Sequence, residues 1–243
     1  YIRGRITYLE SRLKELEKRR ALQSSRRKKD DVKTIALVGY TNTGKSTLLQ
    51  ALTGAQTYIK DELFATLDPK ARQFIINGVP FLLVDTVGFL QDLPHQLIQA
   101  FHSTLQSALD CDLALIVFDA TGAYDMQIQT TKSTLEELHF SFPSLLVANK
   151  SEHLTDFTAL PYGSVAISAK DKIGLQALKN AIFQCFEKDF SLCELYVPYE
   201  RYDEYTKLKK YLYERGVTFD DNGQSVQATI PAQNVNKFLS FMQ

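Results

Sequence analysis

Cysteine is scarce in this chain, and what there is has no metal-binding spacing. Cys111, Cys185 and Cys193 are odd in number and form no CxxC pair. That argues against a disulfide framework or thiolate metal cluster, favours a reducing compartment, and predicts three core thiols. Long apolar runs are missing too: no stretch reaches the length of a membrane span, and no signal-peptide pattern opens the chain. A soluble, globular, cytoplasmic protein, acting as a monomer, is expected. Net charge is absent, with 28 Lys+Arg against 28 Asp+Glu over 243 residues. The zero hides an asymmetry. Residues 1–33 hold twelve basic against five acidic side chains, and the rest hold sixteen against twenty-three. A basic arm on an acidic body predicts a polyanionic partner for the arm, with RNA favoured because clustered Lys/Arg neutralise phosphates.

Within that arm, Ile2, Ile6, Leu9, Leu13 and Leu16 are spaced 4, 3, 4, 3, an a/d seam of about two heptads. A lone helix this short is marginal in water, so its partner helix is expected before Tyr1, and the chain is expected to be a fragment. Arg26-Arg27-Lys28-Lys29 ends the pattern. From Thr34 to about Lys188, apolar strands alternate with helical patterns. The strands are Thr34–Val38, Arg72–Ile76, Val79–Val84, Asp112–Asp119, Ser144–Ala148 and Val165–Ile167. The helices are Lys45–Thr53, Gln96–Leu109, Asp125–Leu138 and Leu175–Lys188. Asn77-Gly78 marks an antiparallel hairpin; the rest implies an α/β fold, a mostly parallel sheet with helices on both faces. From Leu192 onward the pattern changes. A strand at Leu195–Pro198, a helix at Arg201–Glu214, two strands about Asp221-Asn222-Gly223 and a helix at Asn234–Phe241 predict a small α+β (βαββα) domain. Its tyrosines, from Tyr196 to Tyr213, are read as packing residues before base-stacking ones. Three regions follow: a basic coiled-coil helix and linker at 1–33, an α/β domain at 34–190, and the small domain at 191–243.

Chemistry concentrates after the strands. Gly39-Tyr40-Thr41-Asn42-Thr43-Gly44-Lys45-Ser46 fits G-x-x-x-x-G-K-[ST] between a strand and a helix. Such a loop turns backbone N–H groups and a helix N-terminus toward one point, cradling a di- or triphosphate. Lys45 is expected to reach the β- and γ-phosphates and the Ser46 hydroxyl to ligate Mg²⁺. Asp85-Thr86-Val87-Gly88 ends the next strand as D-x-x-G. Asp85 is placed to hold Mg²⁺, and the Gly88 amide can approach the γ-phosphate with no side chain in the way. Between the two lies Asp61 to Pro69, where a hydroxyl such as Thr66 can complete the Mg²⁺ shell when the γ-phosphate is present, making the loop a switch. Asn149-Lys150-Ser151-Glu152 and Ser168-Ala169-Lys170 end later strands. An N-K-x-D motif selects guanine because its Asp accepts from N1–H and the 2-amino group, neither of which adenine offers there. The acid here is Glu152, whose extra methylene moves the acceptors by roughly 1.5 Å. Guanine preference is expected in weakened form, with ATP use left open.

These segments resemble the translational GTPase-like superclass of small G domains, and within it the HflX family. Gly39–Ser46, Phe64-Ala65-Thr66-Leu67-Asp68-Pro69, Asp85-Thr86-Val87-Gly88-Phe89 and Asp92-Leu93-Pro94-His95-Gln96-Leu97 match that family's habitual wording, and the resemblance covers essentially the whole chain. Glu152 stands where the family has Asp. The resemblance implies a P-loop NTPase G domain at 34–190 and a ribosome-associated GTPase that takes GTP and GDP, binds the large ribosomal subunit through its rRNA, and splits stalled or idle ribosomes. It implies nucleotide contacts from Gly39 through Ser46 and Thr47, from Phe64, Ala65 and Thr66, from Asp85, Thr86, Val87 and Gly88, and from Asn149, Lys150, Glu152, Ser168, Ala169 and Lys170. Mg²⁺ falls to Ser46, Thr66 and Asp85, and catalytic roles to Lys45, Asn42, Thr66 and Gly88.

Phe89 stands where Ras-like proteins place a water-orienting Gln, and it neither donates nor accepts a hydrogen bond. Relatives with an apolar residue there often use K⁺ held partly by a phosphate-loop Asn, the position of Asn42. Asn42 as a mere shaper of the loop stays open beside that role. His95, following Leu93-Pro94, reads as a helix-start residue before a general base. Two other classes fit the same residues: a nucleotide-gated RNA- or ribosome-binding module with vestigial hydrolysis, and a ribosome-assembly or RNA-modification G protein.

Overall fold

The computed structural model describes residues 32–54, 71–85, 111–137 and 143–242. The first strand, β1 (Thr34–Val38), is an apolar run buried along its whole length, as a strand covered on both faces must be. Helix α1 (Lys45–Thr53) starts after Gly44 in the left-handed region and ends at Gly54, also left-handed, whose N–H bonds the Gln50 carbonyl. Strands β2 (Ala71–Ile76) and β3 (Val79–Asp85) flank Asn77 and Gly78, both at positive φ as a type I′ turn requires. Then come β4 (Leu113–Asp119), α2 (Tyr124–Glu137), β5 (Ser144–Asn149), a 3₁₀ turn (Ser151–His153), β6 (Val165–Ala166) and α3 (Leu175–Cys185).

The six strands form one sheet in the order β2-β3-β1-β4-β5-β6, with β1 parallel to β3 and β4, β4 parallel to β5, and β5 parallel to β6. The register puts Leu37 opposite Asp85, and Asp119 opposite Asn149. The carboxyl ends of β1, β3, β4 and β5 therefore share one edge, where open parallel sheets bind ligands. Under α2, Phe118, Ala120, Ile128 and Ala148 form a buried cluster.

The chain divides into two compact units. Among the described residues, one holds those up to Gln73 together with those from Leu82 to Leu175; the other joins Phe74–Phe81 to those from Gln176 onward. In the second unit, β7 (Phe190–Pro198), a short helix α4 (Tyr202–Leu208), β8 (Tyr213–Phe219) and β9 (Gly223–Pro231) build an antiparallel sheet ordered β7-β9-β8. Phe81, Phe186 and Phe190 pack there, and the Thr229 hydroxyl donates to the Asn77 carbonyl at 2.6 Å.

Three expectations need correction. The helix expected at Arg201–Glu214 ends at Leu208 and tightens into a 3₁₀ turn to Tyr211, while Glu214 lies in β8. The Glu214 carboxylate, accepting from Tyr205 at 2.6 Å and paired with Lys209 at 2.8 Å, ties the strand back to the helical segment. The last helix, at Ala232–Phe241, is 3₁₀ rather than α. Three residues per turn suits its apolar spacing, since Val235, Phe238 and Phe241 fall on one face and pack on the unit's core. The cysteines are not core thiols: Cys185 is exposed and the other two are half-buried. The expected coiled-coil helix and the helix at 96–109 lie outside the described residues.

Candidate functional site

The phosphate loop owes its shape to backbone positions that side chains resist. Gly39 has φ 150°, and a Cβ there would sit 2.2 Å from the Val117 carbonyl oxygen of β4. Asn42, exposed at the loop's apex, is left-handed at φ 61°, a conformation Asn tolerates better than most residues. Gly44 follows at φ 88°, opening α1. Lys45 folds back over the loop, its Nζ donating to the Gly39 carbonyl at 3.1 Å and the Tyr40 carbonyl at 2.7 Å. The Thr43 hydroxyl also donates to Tyr40 O, at 3.0 Å. Burial lowers the Lys45 ammonium to about 8, with the Asp85 charge pulling it back up. Thr41 and Thr47 are half-buried on either side.

Beside the loop, Ser46 Oγ donates to Asp85 Oδ2 at 3.0 Å, joining the first turn of α1 to the carboxyl end of β3. Asp85 is only 3% exposed. A hydroxyl and a carboxylate so close are hard oxygen donors of the kind Mg²⁺ takes, so this pair fits that ion. Among the described residues no cluster of three His, Cys, Asp or Glu side chains suits a metal, so further ligands would come from elsewhere: water, a phosphate, or a switch residue.

At the other end of the loop stands Asn149, last residue of β5 and 3% exposed. Its Nδ2 donates to the Thr43 carbonyl at 2.8 Å, and its Oδ1 accepts the Ala169 N–H at 3.0 Å. One amide thus ties the phosphate loop to the Ser168-Ala169-Lys170 segment. A Cβ on Gly44 would stand 2.2 Å from that Nδ2, so the second loop glycine is required by Asn149 as well as by its own φ. Lys150 is left-handed at φ 64°, and its Nζ pairs with Asp119 Oδ2 at 2.6 Å. Ser168, fully buried, accepts the Asp171 N–H on its hydroxyl at 3.0 Å, which closes the loop.

Glu152 follows in the 3₁₀ turn with its side chain 14% exposed. Burial pushes its carboxyl up, but the Ser168 hydroxyl, its own backbone N–H, His153 and Lys170 together hold it below the usual range. Asp119 behaves alike: burial raises it, and hydrogen bonds from Lys150 and Thr121 lower it further than that.

The structure therefore brings together the loop Gly39–Ser46 with Asp85, Asn149, Lys150, Glu152, Ser168, Ala169 and Lys170. Phe64, Ala65, Thr66, Thr86, Val87, Gly88, Phe89 and His95 lie outside the described residues. Sequence reasoning missed Asp119 and Asp171. An Asp ending an apolar strand, as Asp119 does, was the available signal; Asp171, in a loop, left none.

Comparison with known proteins follows the same lines. A family model described as 50S ribosome-binding GTPase matches residues 34–150. A protein described as GTPase HflX from Caldanaerobacter subterraneus subsp. tengcongensis is 42% identical over 249 residues, spanning 100% of this chain and 57% of the relative. One of the same description from Chlamydia pneumoniae is 36% identical, covering 99% of this chain and 53% of its own. The Escherichia coli GTPase HflX is 45% identical over 159 residues, or 64% of this chain and 37% of that one. The chain spans about half the length of the first two of these curated relatives. Among solved structures, a GTP-binding protein from the hyperthermophilic archaeon Sulfolobus solfataricus, in complex with GDP, superposes with a TM-score of 0.53 at 28% identity, over 76% of this chain and 60% of that one.

Proposed function

The chain belongs to the HflX family of GTPases, and from that premise we propose that it binds GTP and GDP at the Gly39–Ser46 loop, hydrolyses GTP, and acts on the large ribosomal subunit to split stalled or idle ribosomes. The observation that carries this reading is the buried Asn149 amide, which ties the Gly39–Ser46 loop at the Thr43 carbonyl to the Ser168-Ala169-Lys170 segment at the Ala169 N–H. In that arrangement Lys45 and the loop N–H groups take the phosphates, releasing Lys45 from its carbonyl partners. Ser46 and Asp85 would hold Mg²⁺, which neutralises charge on the β- and γ-phosphates, and Thr66 would join them when the γ-phosphate is present. In this reading the base would be taken by the segments that carry Asn149, Glu152 and Ala169.

The ribosomal part rests on the family model's description and on the twelve basic residues of segment 1–33. Multiple-turnover phosphate release with and without large subunits tests it. Stimulation of at least about tenfold is expected; equal slow rates would favour a nucleotide-gated binding module instead.

Because Phe89 cannot orient water, we assign the missing transition-state charge to a K⁺ ion at Asn42, whose side chain sits exposed at the loop apex. Positive charge at that place is worth about 10³ to 10⁵ in rate when an arginine supplies it. Hydrolysis is expected to run at least about tenfold faster in KCl than in NaCl at equal ionic strength, and Asn42→Ala to erase the difference. Equal rates in both salts would remove K⁺ from the mechanism.

A further inference from the structure

We propose, resting on the guanine-site reading above, that Glu152 makes the base pocket a reader of 6-oxopurines as a class, taking the N1–H that guanine and hypoxanthine share and leaving the 2-amino group unread. An aspartate at this place selects guanine by turning two oxygens toward two neighbouring donors. Glu152 has the two oxygens but does not present them alike. Oε1 lies 3.6 Å from Nε2 of His153, whereas Oε2 is buried and makes no hydrogen bond among the described residues, the Ser168 hydroxyl beside it donating instead to Asp171 Oδ2 at 3.3 Å.

The backbone cannot retreat to make room for the longer side chain. Its 3₁₀ turn is pinned by the Ser151 N–H on the Ile167 carbonyl at 3.0 Å and closed by the Leu154 N–H on the Ser151 carbonyl at 3.0 Å. Lys150, just before it, is anchored on Asp119 at 2.6 Å. The extra methylene is therefore absorbed by the side chain, with one oxygen turned toward His153 and one left as a single buried acceptor.

Such an acceptor is unfavourable until a donor reaches it, and a charged acceptor rewards that donor more than a neutral one does. Both 6-oxopurines carry a hydrogen on N1 and satisfy it. Adenine sets an N1 lone pair against the carboxylate and is repelled, as it would be by aspartate. The departure from aspartate thus relaxes discrimination at position 2 of the ring while discrimination at position 1 survives.

Equilibrium binding of GDP, IDP and ADP to the full chain and to its Glu152→Asp variant, in Mg²⁺ buffer, tests this. The chain is expected to hold IDP within about threefold of GDP and ADP at least about a hundredfold more weakly. In Glu152→Asp, GDP should gain about tenfold over IDP, the worth of one further hydrogen bond to a charged group. A native chain that prefers GDP to IDP tenfold while rejecting ADP overturns the proposal and leaves the guanine site standing. An unchanged GDP/IDP ratio in Glu152→Asp overturns the role given to Glu152. ADP bound as tightly as GDP overturns the guanine site itself.

Discussion

Lys45→Met is expected to weaken GDP and GTP binding by about 10² to 10³-fold while leaving the nucleotide-free chain at least as stable as before. The loss follows from removing charge-assisted bonds to two phosphates, each worth about 1.5–3 kcal/mol. The stability effect has the opposite sign because the loop holds an ammonium only 7% exposed. Burial brings its pKa down to about 8. A lysine lowered in this way opposes folding by about 3 kcal/mol wherever it is charged in both states. That penalty is fully present below pH 8 and fades as the pH climbs from 8 toward the unfolded lysine value. Methionine removes it, though the Gly39 and Tyr40 carbonyls lose a donor, at about 1 kcal/mol each. Thermal melts without nucleotide should place the variant level with the native chain or a few degrees above it at pH 7. The native chain alone should gain stability between pH 8 and 9.5. A variant melting several degrees lower at pH 7 would show that the Lys45 bonds to the loop carbonyls outweigh the cost of its burial.

Asn149→Ala is the second large effect, and here both readouts fall. The substitution strips two buried bonds at 2.8 and 3.0 Å and leaves the Thr43 carbonyl and the Ala169 N–H unsatisfied. A loss of about 3 kcal/mol in unfolding free energy is expected, with nucleotide binding weakened by at least about a hundredfold. Gly44→Ala attacks the same contact from the other side, since its new Cβ would stand 2.2 Å from Nδ2. The pair should be strongly non-additive: in Gly44→Ala with Asn149→Ala the clash has no target, and the double variant should lose less than the sum of the singles. Denaturant unfolding of the three variants checks this, and simple additivity would mean that the two residues do not meet.

How much could be read in advance depended on distance along the chain. The first strand and helix, Thr34–Val38 and Lys45–Thr53, fall as expected, because an apolar run and a glycine-framed loop act within a few residues. So does the turn at Asn77-Gly78, whose positive φ values only such residues accept easily. The Arg201–Glu214 helix failed because its last two residues, Tyr213 and Glu214, are held in β8 by pairing with Thr229 and Ala228 of β9, partners that its own local pattern cannot announce. The cysteines failed for the related reason that burial belongs to the packed chain. Exposed Cys185 lies on the outer face of a helix whose buried side is Leu178, Ile182 and Phe183.

In the candidate site the same division holds. By itself the sequence determined the kinds of side chain available: a loop framed by two glycines, a lysine and a serine at a helix start, a strand-ending aspartate, and a glutamate, Glu152, where the family resemblance implies an aspartate. Those follow from side-chain type and backbone freedom, which are local properties. Only the tertiary structure decided which atoms meet. Ser46 reaches Asp85 across 39 residues, Lys150 reaches Asp119 across 31, and Asn149 reaches Thr43 across 106. The physical reason is the parallel register. It brings the ends of β1, β3, β4 and β5 to one edge, so that loops remote in sequence meet there, and Oε2 of Glu152 is left buried without a hydrogen bond among the described residues.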